Sequence, residues 1–357
     1  MPRLGTVRFR RLEAYFGDLE RVWHAGLSEF KEAGLDDRTA RDLIALRSQT
    51  TPDAELEKLK LAGINLVTWH DDDYPARLKE IADPPPVLYY KGTLLPSDER
   101  SVAVVGTRGP TSYGREATAG LTAELARNDI AIISGLARGV DGVAHRAALE
   151  NGGRTIAVLA NGMDIIYPRE HTNLAQQIMD HGAIVSEYPP GVRPDPRSFP
   201  RRNRLISGIS RGSLVIEAGE GSGARWTVYH ALEQNREVFC VPGSIYSPMS
   251  RLTNRLIQEG AKLVSNVTDI LEELNLTTVA RQVPMPLPVE ADDDAESVLL
   301  AYLNDEPRHI DDIRRSADIP IASVSSMLTM LELKGQVRQV GCMHYVRLRE
   351  VSQVYGN

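Results

Sequence analysis

SVAVVGTRGPTSYG, residues 101–114, opens the stretch that decides the fold. An apolar run, Val102–Val105, stops at a glycine, and a segment compatible with a helix follows. The pattern recurs at Ile130–Ile133, Thr155–Leu159, Ala183–Val185, Leu214–Ile216 and Val238–Val241. Each run is short, β-branched and apolar almost throughout, as strands buried on both faces are. Segments with helical spacing separate most of them: Glu116–Arg127, Val140–Asn151, Leu174–His181 and Ala224–Asn235. Strand alternating with helix predicts an α/β fold whose parallel sheet is covered on both sides. Ligands of such sheets bind where the carboxyl ends of the strands run into helices. The loops at that end are therefore the candidate site.

The first loop is Gly106-Thr107-Arg108-Gly109-Pro110, with Gly114 beyond it. Backbone amides at a glycine-containing strand–helix turn suit an anion. The spacing is neither GxGxxG nor GxxxxGK[ST], and Ser134 ends the second strand where a dinucleotide binder places an acid. Both points argue against a nicotinamide cofactor and a P-loop ATPase. Arg108 adds a cation with a flat face, useful on phosphate or over a base. The second loop, Ser134-Gly135-Leu136-Ala137-Arg138-Gly139, offers another glycine turn and another arginine. Asp141 and His145 follow it four residues apart, on one helix face. With no nucleophile or metal partner evident beside them, they are read as a loop brace and a packed side chain rather than an acid–base pair.

Loop three, Ala160-Asn161-Gly162-Met163-Asp164 followed by Tyr167-Pro168, belongs at the same end. Gly191 to Gly212 then carries six arginines against one acid, Asp195, with Phe199 among them. Interleaved cations and an aromatic suit a single nucleic-acid strand, its phosphates neutralised and a base stacked. The last loop, Glu217-Ala218-Gly219-Glu220-Gly221-Ser222-Gly223, is a third glycine turn, with Ser222 as a helix cap. Glu217 reads as a brace for an arginine, with general base as the other option.

The whole chain sets the bounds. Its 357 residues leave room for two or three domains, and a net charge of −7 gives no hint of a nucleic-acid partner while allowing a local basic patch. Cys240 and Cys342 lie far apart without metal-binding spacing and read as reduced thiols. The N-terminal MPRLGTVRFRR lacks the apolar core of a signal peptide, and no apolar run approaches the roughly 20 residues of a membrane span. The expected location is the cytoplasm. Asp71–Asp73 is read as a turn and helix cap, not a metal site, because no cation-loop spacing follows it.

The expected organisation has four parts. Residues 1–65 form a small helical domain docked on its neighbour. Residues 66–275 hold the sheet. Residues 276–296, proline-rich and then acidic, are a linker. Residues 297–357 form a third domain: helices at Val298–Leu303, His309–Ser316 and Ile321–Lys334, then a hairpin of Val337–Val340 and His344–Leu348 around Gly341, make a winged helix. Its third helix shows Ser323, Ser325, Ser326, Met327 and Met330 with Lys334 alone as a cation, which leaves protein contact and weak DNA contact equally open.

VAVVGTRGPTSYG, ISGLARGVDGVAH, IAVLANGMDIIYP, SEYPPGVRP, FPRRNRLISG, LVIEAGEGSGA and REVFCVPGSI run in that order within about Tyr74 to Ala261. Together they resemble the DNA-processing protein family DprA, also called Smf. The resemblance implies an extended Rossmann-like domain, flanked by a SAM- or helix-hairpin-helix-like N-terminal module and a C-terminal winged helix. It implies a cytoplasmic homodimer of natural transformation that binds incoming single-stranded DNA, protects it and helps load the recombinase RecA. Duplex DNA is left open as a further partner. No catalytic residue, cofactor or metal is implied. Carried over by motif, the DNA pocket includes Arg108 of VGTR; Ser134, Gly135 and Arg138 of SGLARG; and Phe199, Arg201, Arg202, Asn203 and Arg204 of FPRRNR. The glycine turns add Gly106, Thr107, Ser222 and Gly223. The chain departs from the family pattern at Ala224-Arg225-Trp226-Thr227 and at Ser250–Asn254. The rival expectation is a nucleotide-phosphate hydrolase on a Rossmann-like fold with Glu217 as base; a third is a protein-interaction scaffold.

Overall fold

In the computed structural model the chain forms two compact units, Met1–Thr278 and Val279–Asn357. The structure describes residues 4–276, 294–304, 307–317, 319–340 and 343–348. The expected linker lies outside the described residues except at its two ends, as do Gly341 and Cys342.

A nine-stranded sheet runs through the first unit: β1 Asn65–Thr68, β2 Val87–Gly92, β3 Ser101–Val105, β4 Ala131–Ser134, β5 Thr155–Leu159, β6 Ala183–Ser186, β7 Gly212–Val215, β8 Glu237–Cys240 and β9 Lys262–Leu263. Their order is β1-β2-β6-β5-β4-β3-β7-β8-β9. From β6 to β9 all pairs are parallel, while β2 joins β6 and β1 antiparallel. The apolar runs fall on strands β3 to β8 with ends displaced by one or two residues. β2, which follows the Pro84–Pro86 run, was not among the apolar runs: its Tyr89 and Tyr90 pair with Ser186 and Val185.

Alternation divides the strands between two cores. Val102 and Val104 face the helices Ser112–Arg127 and Val140–Glu150 through Leu125, Ala144 and Ala148. Ala103 and Val105 face the other way, onto Leu205, Ile206 and Ile209 of the helix Ser198–Ile209 and onto Val228 of Ala224–Glu233. The arginine-rich segment is therefore a helix with one side in the core. Pro200 sits in its first turn, where a proline costs no hydrogen bond.

Four N-terminal helices, Thr6–Phe16, Leu19–His24, Leu27–Glu32 and Asp37–Arg47, close around Leu12, Phe30, Leu35 and Ala40. They dock on the sheet unit: Thr6 Oγ1 donates to the Pro84 carbonyl at 3.1 Å, and Phe9 meets Trp69 edge-on at 5.5 Å.

In the second unit the helices Asp294–Ala301, Ile310–Ala317 and Ile321–Leu333 pack around Leu299, Ile313, Val324, Leu328 and Leu331. Strands β10 Arg308–His309, β11 Val337–Gln339 and β12 His344–Arg347 form a small antiparallel sheet in the order β10-β12-β11, giving a winged helix with one strand more than the expected hairpin.

Candidate nucleic-acid interface

After β6 the chain crosses back to place β7 beside β3. The loops leaving β3 and β7 part at this reversal, and open α/β sheets bind ligands there. A cleft of about 570 Å³ lies at that point, lined by Gly106, Thr107 and Arg108 from the first loop, Phe199, Arg202 and Asn203 from the helix above, and Ser222 and Gly223 from the turn after β7. The close approach requires glycine: a Cβ on Gly106 would lie 2.6 Å from Val140 Cγ2 and 2.9 Å from the Glu217 carbonyl oxygen.

The Arg108 guanidinium sits 5.6 Å over the Phe199 ring, and Tyr167 leans on Phe199 with ring centroids 5.8 Å apart. The result is a cation–aromatic wall with hydrogen-bond donors left to spare. Arg202 forms part of the floor. It is 4 % exposed, donates to the carbonyl oxygens of Gly135 (2.9 Å) and Val158, and burial pushes its pKa down to about 10, so it stays charged at neutral pH. Asp141 faces it electrostatically. Burial raises the Asp141 carboxyl above its usual range, while Arg202 and the amides of Gly135 and Ala137 pull it back. Those amides donate to Asp141 Oδ2 at 3.1 and 3.3 Å.

This corrects the expectation for the second loop. Its glycine turn already holds an anion, the Asp141 side chain, so it offers no empty cradle for phosphate. Ser134 is fully buried and donates to the Val104 carbonyl at 2.7 Å, tying β4 to β3. Gly135 lies beneath Arg202, and neither residue 134 nor 135 lines the cleft. Arg138 forms an exposed ion pair with Glu170 at 2.6 Å, also outside the lining. The arginine helix is corrected likewise. Arg204 is 5 % exposed and locked to the buried Glu187 at 2.8 Å, with Arg201 on the same carboxylate at 3.4 Å. Neither lines the cleft. The Asp141–His145 pair follows the bracing reading, with His145 buried against Thr155 at 2.6 Å.

Glu217 braces the first loop, with a threonine as partner where an arginine was expected: Oε1 accepts from Thr111 Oγ1 at 2.6 Å and Oε2 from the Thr111 amide at 2.9 Å. Tyr167, in the stretch after the third loop that was expected at this end of the sheet, lines the cleft; sequence reasoning missed Trp226, which does so too. It also missed Glu187, whose signal was a lone acid in an apolar turn facing an arginine-rich segment. Among the described residues no cluster of His, Cys, Asp and Glu could hold a metal, and no helix is long and apolar enough to cross a membrane.

Residues 65–275 match the family model of DNA recombination-mediator protein A, and residues 283–341 match the DprA winged helix domain. The chain belongs to the DprA family. This DprA-family chain is 36 % identical to Protein Smf of Escherichia coli over 98 % of its own length and 96 % of the relative's. It is 47 % identical to DNA processing protein DprA of Bacillus subtilis over 59 % of the chain and 72 % of that protein. It is also similar to the X-ray structure of DprA from Streptococcus pneumoniae, with 37 % identity, a TM-score of 0.68, and coverage of 76 % and 94 % of the two chains. A DprA structure from Helicobacter pylori, described as revealing a unique single-stranded DNA binding mode, matches with 32 % identity, a TM-score of 0.54 and coverage of 59 % and 96 %.

Proposed function

We propose that this protein binds single-stranded DNA in the cleft between the β3 and β7 loops, largely without regard to sequence. It acts in natural transformation, protecting the incoming strand and helping to load RecA, as a cytoplasmic homodimer that carries out no chemical step. The observation that carries the reading is the Arg108 guanidinium poised over Phe199 in a cleft shared with the buried Arg202. A planar cation over an aromatic ring serves any base and its phosphate, because every base has a stacking face. The single-strand binding of the Helicobacter pylori relative supports the assignment.

The hydrolase reading finds less support. Both oxygens of Glu217 are engaged by Thr111, and the residue is absent from the cleft lining. The test is a gel-shift titration with oligothymidylate at moderate salt. A shift in the wild type, weakened in Arg108→Ala, is expected; no shift in the folded wild type overturns the reading.

A further inference from the structure

A cation over an aromatic ring occurs twice about the cleft. Arg108 lies over Phe199 at 5.6 Å. On the helix after β7, Arg225 lies over the indole of Trp226 at 5.3 Å and Tyr229 meets that ring edge-on at 6.3 Å, both of them on the neighbouring groove that Trp226 shares with the cleft. Phe199 and Trp226 both line the cleft. Trp226 is 40 % exposed, whereas Thr227 and Val228 beside it on the same helix are buried. A packing role would bury so large an apolar ring, because its area is what stabilises a core. The indole instead stands at the cleft, beside the exposed Arg225 guanidinium. It follows directly on the Ser222-Gly223 turn, so it belongs to the phosphate-facing end of its helix.

We propose that Trp226 is a second base-stacking subsite, so that the cleft takes at least two successive bases of a single strand rather than one nucleotide. The inference rests on the reading of the cleft as a single-strand site. One base stacks at the Arg108–Phe199 wall, the next on Trp226, and the phosphate between them faces Arg202 and Asn203 on the floor. An indole stacks on any base, so the subsite adds affinity and length dependence without adding sequence preference.

Fluorescence anisotropy of labelled oligothymidylate, with thymidine monophosphate as competitor, tests this on the full chain. Trp226→Ala is expected to weaken oligothymidylate binding about 5- to 150-fold, the range for losing one stacked base. Trp226→Phe is expected to retain most of the affinity, which separates lost stacking from a damaged helix. The monophosphate, which needs only the Arg108–Phe199 wall, is expected to compete equally well in both variants. Unchanged oligothymidylate affinity in Trp226→Ala, with affinity lost in Arg108→Ala, would overturn the second subsite and leave the cleft assignment standing. A wild type that binds no oligothymidylate would overturn both.

Discussion

Arg202 Nη1 donates to the carbonyl oxygen of Gly135 at 2.9 Å, and a methyl group added to Gly135 would lie 2.5 Å from the same guanidinium. The loop after β4 and the arginine helix are thus fitted to each other across the sheet's carboxyl edge. Because Arg202 is buried and also bonded to Val158, it has little room to yield. Gly135→Ala is expected to cost about 1–3 kcal/mol, the range for overpacking a fitted site. Denaturant unfolding measures it, and wild-type stability in the variant would show that the guanidinium is free to move.

The charge on Arg202 has a second consequence, visible in pH dependence. Burial holds the Asp141 carboxyl above its ordinary value of 3.8. An acid raised in the folded state destabilises the fold while ionised, and the cost is relieved as pH falls through its folded pKa. Arg202→Leu removes the compensating cation and raises that pKa further. The stability deficit of the variant is therefore expected to be largest at neutral pH and to shrink on acidification. An equal deficit at neutral and acidic pH would remove Asp141 from the explanation.

Arg204 predicts a contrast within one motif. Its guanidinium and the Glu187 carboxylate are each 6 % exposed in their side chains and bind through two hydrogen bonds of 2.8 and 2.9 Å. Removing one partner of a buried pair leaves the other charge uncompensated and costs about 3–5 kcal/mol. Arg204→Ala is expected to lose that much in unfolding experiments. In the fraction that folds, the salt dependence of DNA binding is expected to match wild type. A reduced salt slope would mean that Arg204 reaches a phosphate after all.

His145 should mark the acid limb of the stability profile. Thr155 Oγ1 donates to the Ile132 carbonyl at 2.8 Å and so accepts from His145 Nδ1 at 2.6 Å, leaving Nε2 unpartnered in the core. Burial pushes the pKa of this neutral ring down from 6.5 to about 3. A base depressed in the folded state contributes stability that is complete above its unfolded pKa and is lost as pH falls toward its folded one. Between pH 6.5 and 3 this adds a slope of at most about 1.4 kcal/mol per pH unit. His145→Gln is expected to flatten that limb; an unchanged slope would assign acid sensitivity to other groups.

The parallel sheet was legible because strands buried on both faces read as uninterrupted apolar runs. β2 was not: it follows three prolines and carries Lys91 and two tyrosines, so neither its composition nor its alternation separates it from a connector. The arginine helix shows how counting charge along a chain goes astray. At about 100° per residue, Arg202 and Arg204 point roughly 200° apart, so they cannot track one backbone together. Arg202 enters the cleft floor and Arg204 turns to Glu187. Their acidic partners, Asp141 in the first turn of Val140–Glu150 and Glu187 just after β6, lie in other elements, and no local reading pairs them. The glycine loop with Arg108 was legible for the opposite reason: a strand-end glycine turn has its place in the fold determined by the sheet itself.

The salt dependence of oligothymidylate binding by wild type and Arg108→Ala tests the central claim most directly. Among the described residues Arg108 forms no ion pair, and it lines the cleft beside Phe199, so its guanidinium is available to a phosphate. Its removal is expected to weaken binding across all sequences and to lower the slope of log K against log salt by about 0.7, the value for one phosphate contact on a single strand. An Arg108→Ala protein that is folded and binds with the wild-type affinity and the wild-type slope would contradict the account.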